Sequence, residues 1–348
     1  MKRGKTWQRN LSRSRRGCSC LRQARHEQPL QVNMKSYFLK VFVSVGIVVF
    51  LANRIGWGDL ALVWKSVRVG SLVAAVLASF FFYFFSSLIL KIIFSAHGLK
   101  LNIRSIFLIN VRSMFYSLLV PGDLASVTSR FHHFNKKIRF SSNQSVAPQI
   151  MSSMLCDRLF NLGALMLWFM PLLIVAPLQG VGSGYQKVGA LVGILFFIFL
   201  ILALKLPLPI FLSIIPRSFT RVRHFFSEAI ESFQGMPVSL VMGTVGLYFA
   251  YHMLFFWTVD VLLVKSVGWT IPWLELASII FLVRFIRFIP ISIGGIGLRE
   301  GIYPLLLAGY GLSLEQTVFF GFLGSFLVIV SGLVGGILEA YVWFGEHH

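Results

Sequence analysis

Acidic residues are scarce in this chain: 12 Asp and Glu stand against 32 Lys and Arg in 348 residues, and charged residues of both signs make up only 13%. An ordinary soluble domain carries about 25% charged residues, so a fully water-facing surface is excluded. Cysteine is scarcer still. Cys18, Cys20 and Cys156 contain no Cys-x-x-Cys pair, and Cys156 sits in an apolar run, so neither a disulfide framework nor a cysteine zinc site is expected. His132 and His133 lie in a basic segment with no acidic neighbour in sequence, and no metal site is read there. A Gly-x-x-x-x-Gly-Lys-Ser/Thr loop is missing, and Gly295 to Gly301 departs from dinucleotide spacing by one residue. Gly182-Ser183-Gly184 lacks the spacing of a nucleophile elbow. ATP-driven pumping and serine-ester chemistry therefore have no motif behind them, and no cofactor is expected.

Apolar residues are abundant: 56% of the chain is hydrophobic, 35 residues are Phe, and the mean hydropathy is +0.78. This composition implies an integral membrane protein. The net charge of +20 would suit nucleic acid, but the charges fall in the gaps between apolar runs. Topogenic lysines and arginines do the same, and they also favour anionic headgroups, so no nucleic-acid partner is needed. Residues 1–35 concentrate basic side chains with only Glu27 opposing them and have almost no apolar periodicity. They read as a disordered cytoplasmic arm ahead of a single membrane domain, 36–344. The first apolar run leads into Asn53-Arg54 rather than a small-residue cleavage site, as in a retained anchor. Met34 offers a second start position.

Runs long enough to cross a bilayer, about 20 residues, occur at 36–54, 71–94, 149–177, 187–206, 237–264 and 316–344. Two further stretches are interrupted: 105–122 by Pro121-Gly122-Asp123, and 273–311 by Pro290 and its glycines. The expected fold is thus an all-α polytopic bundle of about six full spans plus two Pro/Gly-broken re-entrant segments. Basic flanks on both sides of 105–122 place its two ends in the cytoplasm, and the basic segment 123–148 reads as a cytoplasmic loop. The 273–311 stretch would enter from the opposite face, making an inverted pair of the kind that places binding sites near the midplane. A plain span at 273–290 with a cytoplasmic glycine loop is the alternative. Leu60 to Trp64 reads as a short interfacial helix.

The run Pro290-Ile-Ser-Ile-Gly-Gly-Ile-Gly-Leu-Arg-Glu300 concentrates irregular, charged backbone inside an apolar chain. Lipid solvates neither, so protein, water or a ligand has to. A half-helix would begin at Gly297 and run through Tyr303 and Leu307, with Glu300 in its first turn. Its amino end, with Arg299 beside it, is a candidate seat for a phosphate or carboxylate headgroup; a capped interfacial helix with a snorkelling arginine is the plainer reading. Arg284 and Arg287, three apart on one helical face, would grip a polyanion or anchor a membrane edge. Arg112 is read the same way. Asp157-Arg158 interrupts an apolar run, where such charges need partners. Asp260 and Glu275 are read as solvated boundary residues. Gly189-x-x-x-Gly193 and Gly332-x-x-x-Gly336 speak to helix packing.

Pro290-x-Ser292-x-Gly294-Gly295-x-Gly297-x-Arg299-Glu300 resembles the signature of the lysylphosphatidylglycerol synthase/flippase-like transmembrane family. Asp157-Arg158-Leu159 is similar to that family's acidic-Arg-Leu step. Pro121-Gly122-Asp123 followed by Arg130 is similar to its Pro-Gly-Gly-Asp-x-x-Arg region, although Leu124 and Ala125 stand where glycines are often seen and the arginine is displaced. The resemblance spans roughly residues 36–344. It implies a multi-pass protein of the bacterial or archaeal inner membrane, N-terminus cytoplasmic, that moves lipids or lipid-linked sugars between leaflets. Some members add a cytosolic aminoacyl-transferase domain; the chain stops at His348, so synthase activity is not expected. The headgroup-binding set would be Arg284, Arg287, Pro290, Ser292, Gly294, Gly295, Gly297, Arg299 and Glu300, supported by Asp157, Arg158, Arg112 and Asp123. The partner expected is an anionic lipid or lipid-linked sugar. The alternatives are a membrane-embedded transferase using Glu300 or Asp157 as base, and a non-catalytic partner in envelope biosynthesis.

Overall fold

A computed structural model of the chain describes residues 53, 57–119, 124–139, 146–175, 235–286 and 297–347. The expected arm at 1–35 and the expected spans at 36–54 (Asn53 apart) and 187–206 lie outside the described residues. Among the described residues there is no strand. The helices are α1 (Trp57–Lys65), α2 (Val69–Ala96), α3 (Ile103–Leu119), α4 (Leu124–Arg139), α5 (Ala147–Val175), α6 (Val238–Phe255), α7 (Val261–Val267), α8 (Trp273–Ile286), α9 (Leu298–Leu307) and α10 (Leu314–His347). A π-helical turn, Phe256–Asp260, joins α6 to α7.

Four of these stretches are long and apolar enough to cross a membrane: Val69–Ala96, Ala147–Trp168, Val238–Val267 and Leu314–Phe344. In α2 the reason is visible residue by residue. Val73, Leu77, Phe81, Phe84, Leu88 and Ile92 recur every three or four residues and are exposed, while Leu72, Ala75, Phe82, Ile89 and Ile93 on the other side are buried. A helix that is apolar on its exposed face as well as its buried one requires lipid around it. The chain is a multi-pass membrane protein.

Two helix pairs, α8 with α9 and α3 with α4, each called a hairpin here, pack against this bundle from opposite ends. At one end α7 finishes, α10 begins, and Trp269 packs on Phe320 with ring centroids 5.1 Å apart. From there α8 runs inward until Arg284 reaches Asp260, and α9 begins inside the bundle, where Arg299 lies beside Gly324 of α10. Gly324 is ten residues beyond Leu314, about 15 Å along the helix. α9 then returns beside α10, with Tyr303 against Phe320 at 5.0 Å. The other hairpin starts at the far end, after α2. Arg112 of α3 meets Glu339 of α10, and Leu118 near the tip of α3 meets Gly332. α4 comes back, and its His133 meets Glu339 again at 3.6 Å. The side chains of Arg299 in α9 and Leu118 in α3 meet α10 eight residues apart, at Gly324 and Gly332, about 12 Å along its axis.

The expected cytoplasmic loop at 123–148 is corrected by α4. Ser126, Arg130, Phe134 and Ile138 recur every four residues and are buried, so one face of a helix packs inward while Lys136 and Lys137 remain exposed on the other. The cluster of polar residues on the outer face hid that period. The 298–307 segment is the expected half-helix, and it packs alongside α10.

α10 is the shared support, and glycines make it so. A Cβ at Gly335 would lie 2.4 Å from the Val111 carbonyl oxygen, and one at Gly321 would lie 2.9 Å from Glu300 N and Cα. Both neighbours are backbone, which cannot rotate away. Gly332-x-x-x-Gly336 has the packing role expected of it, against Leu118 and Phe115. In a helix interior Gly→Ala ordinarily stabilises by roughly 1 kcal/mol. At Gly335 the sign should reverse: Gly335→Ala should lower the thermal unfolding midpoint in detergent, whereas Gly243→Ala, with nothing within 4 Å, should leave it unchanged or raise it.

Candidate functional site

Both hairpins contribute to a cavity of ≈ 330 Å³ between them. α3 supplies Asn110, Met114 and Ser117, α4 supplies Ser126 and Arg130, and α5 supplies Asp157, Arg158 and Asn161. α6 and its π turn supply Tyr251, His252 and Asp260, α8 supplies Arg284, and α9 supplies Arg299 and Tyr303. Among the described residues the charged lining is four arginines, at 130, 158, 284 and 299, against two aspartates, 157 and 260. That leaves a surplus of two positive charges in a site walled by apolar helices, where little water screens them.

Each charge is positioned by a specific local feature. Arg299 is only 4% exposed, and its guanidinium is accommodated because Gly324 has no side chain: a Cβ there would stand 3.3 Å from Nη1. The turn that delivers Arg299 begins at Gly297, whose φ of 82° lies in the region that glycine tolerates without strain. Glu300 holds this turn. Its Oε2 accepts from the Gly297 N–H at 2.8 Å, and its Oε1 accepts from the Ser325 hydroxyl at 2.7 Å. Glu300 is thus a cap and an anchor to α10, and it does not line the cavity.

Arg284 donates to Asp260, and its guanidinium also lies 4.4 Å from the Phe255 ring centre and 5.5 Å from that of Phe281. Asp260 is buried, so the boundary reading of that residue is corrected. The π turn is the reason. Its extra residue rotates the following chain relative to a regular helix, and neither Gly nor Pro marks it in the sequence.

α5 and α6 are joined by two polar rungs one turn apart on each helix, so the two run in the same direction there. Tyr248 donates to Asp157, and His252 Nε2 lies 3.2 Å from Asn161 Oδ1. Arg112 sits elsewhere. Its Nε donates to Glu339 Oε2 at 2.5 Å, and the Tyr116 hydroxyl donates to Oε1 at 3.0 Å, tying the α3–α4 hairpin to α10 away from the cavity lining. Arg287, Pro290, Ser292, Gly294, Gly295 and Asp123 lie outside the described residues.

Of the residues singled out in the sequence, the cavity therefore brings together Arg284, Arg299, Asp157 and Arg158. Arg130, named in the family resemblance, and Asp260, read as a boundary residue, join them, as do Asn110 and His252, which were not singled out. His252 carried a signal, as a lone ionisable side chain within an apolar run. Among the described residues no group of three or more His, Cys, Asp or Glu could hold a metal ion.

Compared with known families, residues 37–336 match the lysylphosphatidylglycerol synthase TM region. The chain belongs to this family. No curated protein and no solved structure matches it. The lysylphosphatidylglycerol synthase TM region takes in α1 to α9 and α10 as far as Gly336, and so contains both hairpins and every residue of the cavity. The protein is accordingly a lipid-related membrane protein.

The Asp260–Arg284 pair is a test of how the cavity is held. Asp260→Leu alone strands a buried guanidinium and should cost about 3–5 kcal/mol of stability. Adding Arg284→Met should recover much of that loss, because the unpaired charge goes with it. Unfolding of the two variants in the same detergent reads the difference.

Proposed function

We propose that the protein is a lipid translocase of the bacterial or archaeal inner membrane, with its N-terminus in the cytoplasm. On this reading it moves an anionic lipid or a lipid-linked sugar between leaflets, and makes or breaks no bond. The observation that carries it is the surplus of buried arginine where two opposed, broken helical hairpins meet. Buried cations at membrane depth are costly and mark ligand pathways, and opposed broken segments are a recurrent design for midplane sites. Family membership supports a lipid as the ligand. The hairpins α3–α4 and α8–α9 are the re-entrant elements, one opening to each face.

In this arrangement Arg299 and Arg284 receive the anionic group from the α9 and α8 side, and Arg130 and Arg158 from the α4 and α5 side. The partial positive charge at the amino end of α9 adds to Arg299. Among the described residues, the carboxylates at or beside the cavity are engaged: Glu300 in capping α9, Asp157 by Tyr248, and Asp260 by Arg284. That favours transport over transfer.

Reconstitution into liposomes carrying a tail-labelled anionic phospholipid tests the proposal. Wild-type protein should expose inner-leaflet label faster than empty vesicles do. Arg299→Gln should slow this about tenfold or more, the scale of one lost charge-assisted hydrogen bond. Lys91→Gln, on an exposed position of α2, should not slow it. Wild-type rates equal to those of empty vesicles would rule the translocase out.

A further inference from the structure

The ion pair between Arg284 and Asp260 sits where an arriving anion has to contest it. Both residues line the cavity, and their side chains are 15% and 12% exposed. Nη2 of Arg284 donates to Asp260 Oδ2, while the guanidinium lies 4.4 Å from the Phe255 ring centre. Phe256 and Val259, in the same π turn as Asp260, are buried. Little water is therefore at hand to screen a charge that appears here. Empty, the pair is internally neutral. A guanidinium has five N–H donors, so a phosphate can join Asp260 on the same arginine. Two anions then face each other across one cation, and like charges that share a site favour protonation of one of them. A phosphodiester is a much weaker base than a carboxylate, so the proton goes to Asp260.

We propose that Asp260 takes up a proton as an anionic headgroup reaches Arg284, so that each lipid crosses together with one proton. This rests on the translocase reading and adds its driving force. The carboxylate becomes a carboxylic acid, whose new O–H can donate to a phosphate oxygen. The proton comes from the water on the entry side, and it leaves on the other side when the headgroup departs and the ion pair closes again. A monoanionic headgroup and its proton cross with no net charge. Carboxylates at membrane depth recurrently serve as proton sites. The other ionisable groups on the described lining do not compete. Arg130, Arg158 and Arg299 are guanidinium cations, and Tyr83, Tyr251 and Tyr303 bring phenols, which hold their proton in neutral water. His252 would place a second positive charge beside Arg284, with which it shares the Phe281 ring. Asp157 is engaged by the Tyr248 hydroxyl, a contact that an anion does not contest. Lys265, on the adjoining α7, is exposed.

Liposomes of phosphatidylcholine that hold the full chain and a trace of tail-labelled phosphatidylmethanol, a monoanion with no other ionisable group, separate the alternatives. With the potential clamped at zero by potassium and valinomycin, a pH difference of about one unit should draw label to the leaflet on the alkaline side, by about tenfold at equilibrium. With equal pH on both sides, a potential of about 60 mV would displace a bare monovalent anion about tenfold. It should leave the wild-type distribution unchanged. Label that follows the potential and ignores the pH difference would mean a bare anion crossing, and would overturn the proton while the translocase stands. This comparison uses wild-type protein alone, so no folding defect enters it. Asp260→Asn keeps an oxygen for Arg284 but cannot take a proton, and should abolish the response to pH. An unchanged response there, or a response lost in Asp157→Asn instead, would overturn the assignment to Asp260. If label moves no faster than in empty vesicles, the translocase reading fails and this inference falls with it.

Discussion

The rest of the arrangement depends on the close seat of the first turn of α9 against Gly321 of α10. The first N–H groups of any helix have no intrahelical acceptor, and here that end lies about 10 Å inside the bundle, at the level of Gly321, where lipid offers none. Glu300 meets the requirement by accepting from the Gly297 N–H while Ser325 holds its second oxygen. The cap needs this close approach, and a Cβ at Gly321 would stand only 2.9 Å from Glu300 Cα. Arg299 is adjacent in sequence and therefore projects elsewhere, into the cavity. One turn thus performs two tasks with neighbouring residues: an acid that satisfies backbone, and a base turned to the cavity.

α10 carries this seat and also the opposing one. Its upper glycines receive α9 and its lower glycines receive α3, and Glu339 then ties Arg112 and Tyr116 one further turn along. The two hairpins therefore meet through one continuous helix as well as across the cavity. Smooth backbone-to-backbone contact brings the tips close without bulky side chains between them, which is how small residues serve packing in lipid, where helices gain nothing from excluding water. Charges follow the same economy of position. Arg284 is neutralised by Asp260 and cushioned by two aromatic faces, so this guanidinium is compensated where it meets the cavity wall.

Much of this was legible in the residues. Long apolar runs announced α2, α5, α6–α7 and α10, because a helix surrounded by lipid has no polar face to confuse the period. Gly297 to Glu300 announced the start of α9, since a glycine followed three residues later by an acid is a capping pattern, and Gly332-x-x-x-Gly336 announced the close contact with α3. What stayed hidden has physical reasons. α4 carries a basic outer face that reads as a loop, although its inner positions repeat every four residues. The π turn at Phe256–Asp260 leaves no mark, because an extra residue in a helical turn needs neither glycine nor proline; Asp260 therefore seemed to lie at a boundary.

The size of the cavity constrains how a lipid would use it. At ≈ 330 Å³ it falls at the lower end of the roughly 300–1,000 Å³ range of small-molecule sites, enough for a phosphate with a small polyol and too little for acyl chains. A translocated lipid would then keep its tails in the bilayer while its headgroup alone passed the arginines. That division suits the chemistry on each side. The tails never leave an apolar medium, so they contribute no barrier, and the barrier that remains is desolvation of the headgroup, which is the part that arginines can offset. It would also account for helices that begin inside the bundle at the site, as α9 does. A helix that ends at mid-depth leaves the other half of its path free, and two such helices from opposite ends leave a polar route past each tip while α10 keeps the bundle closed behind them.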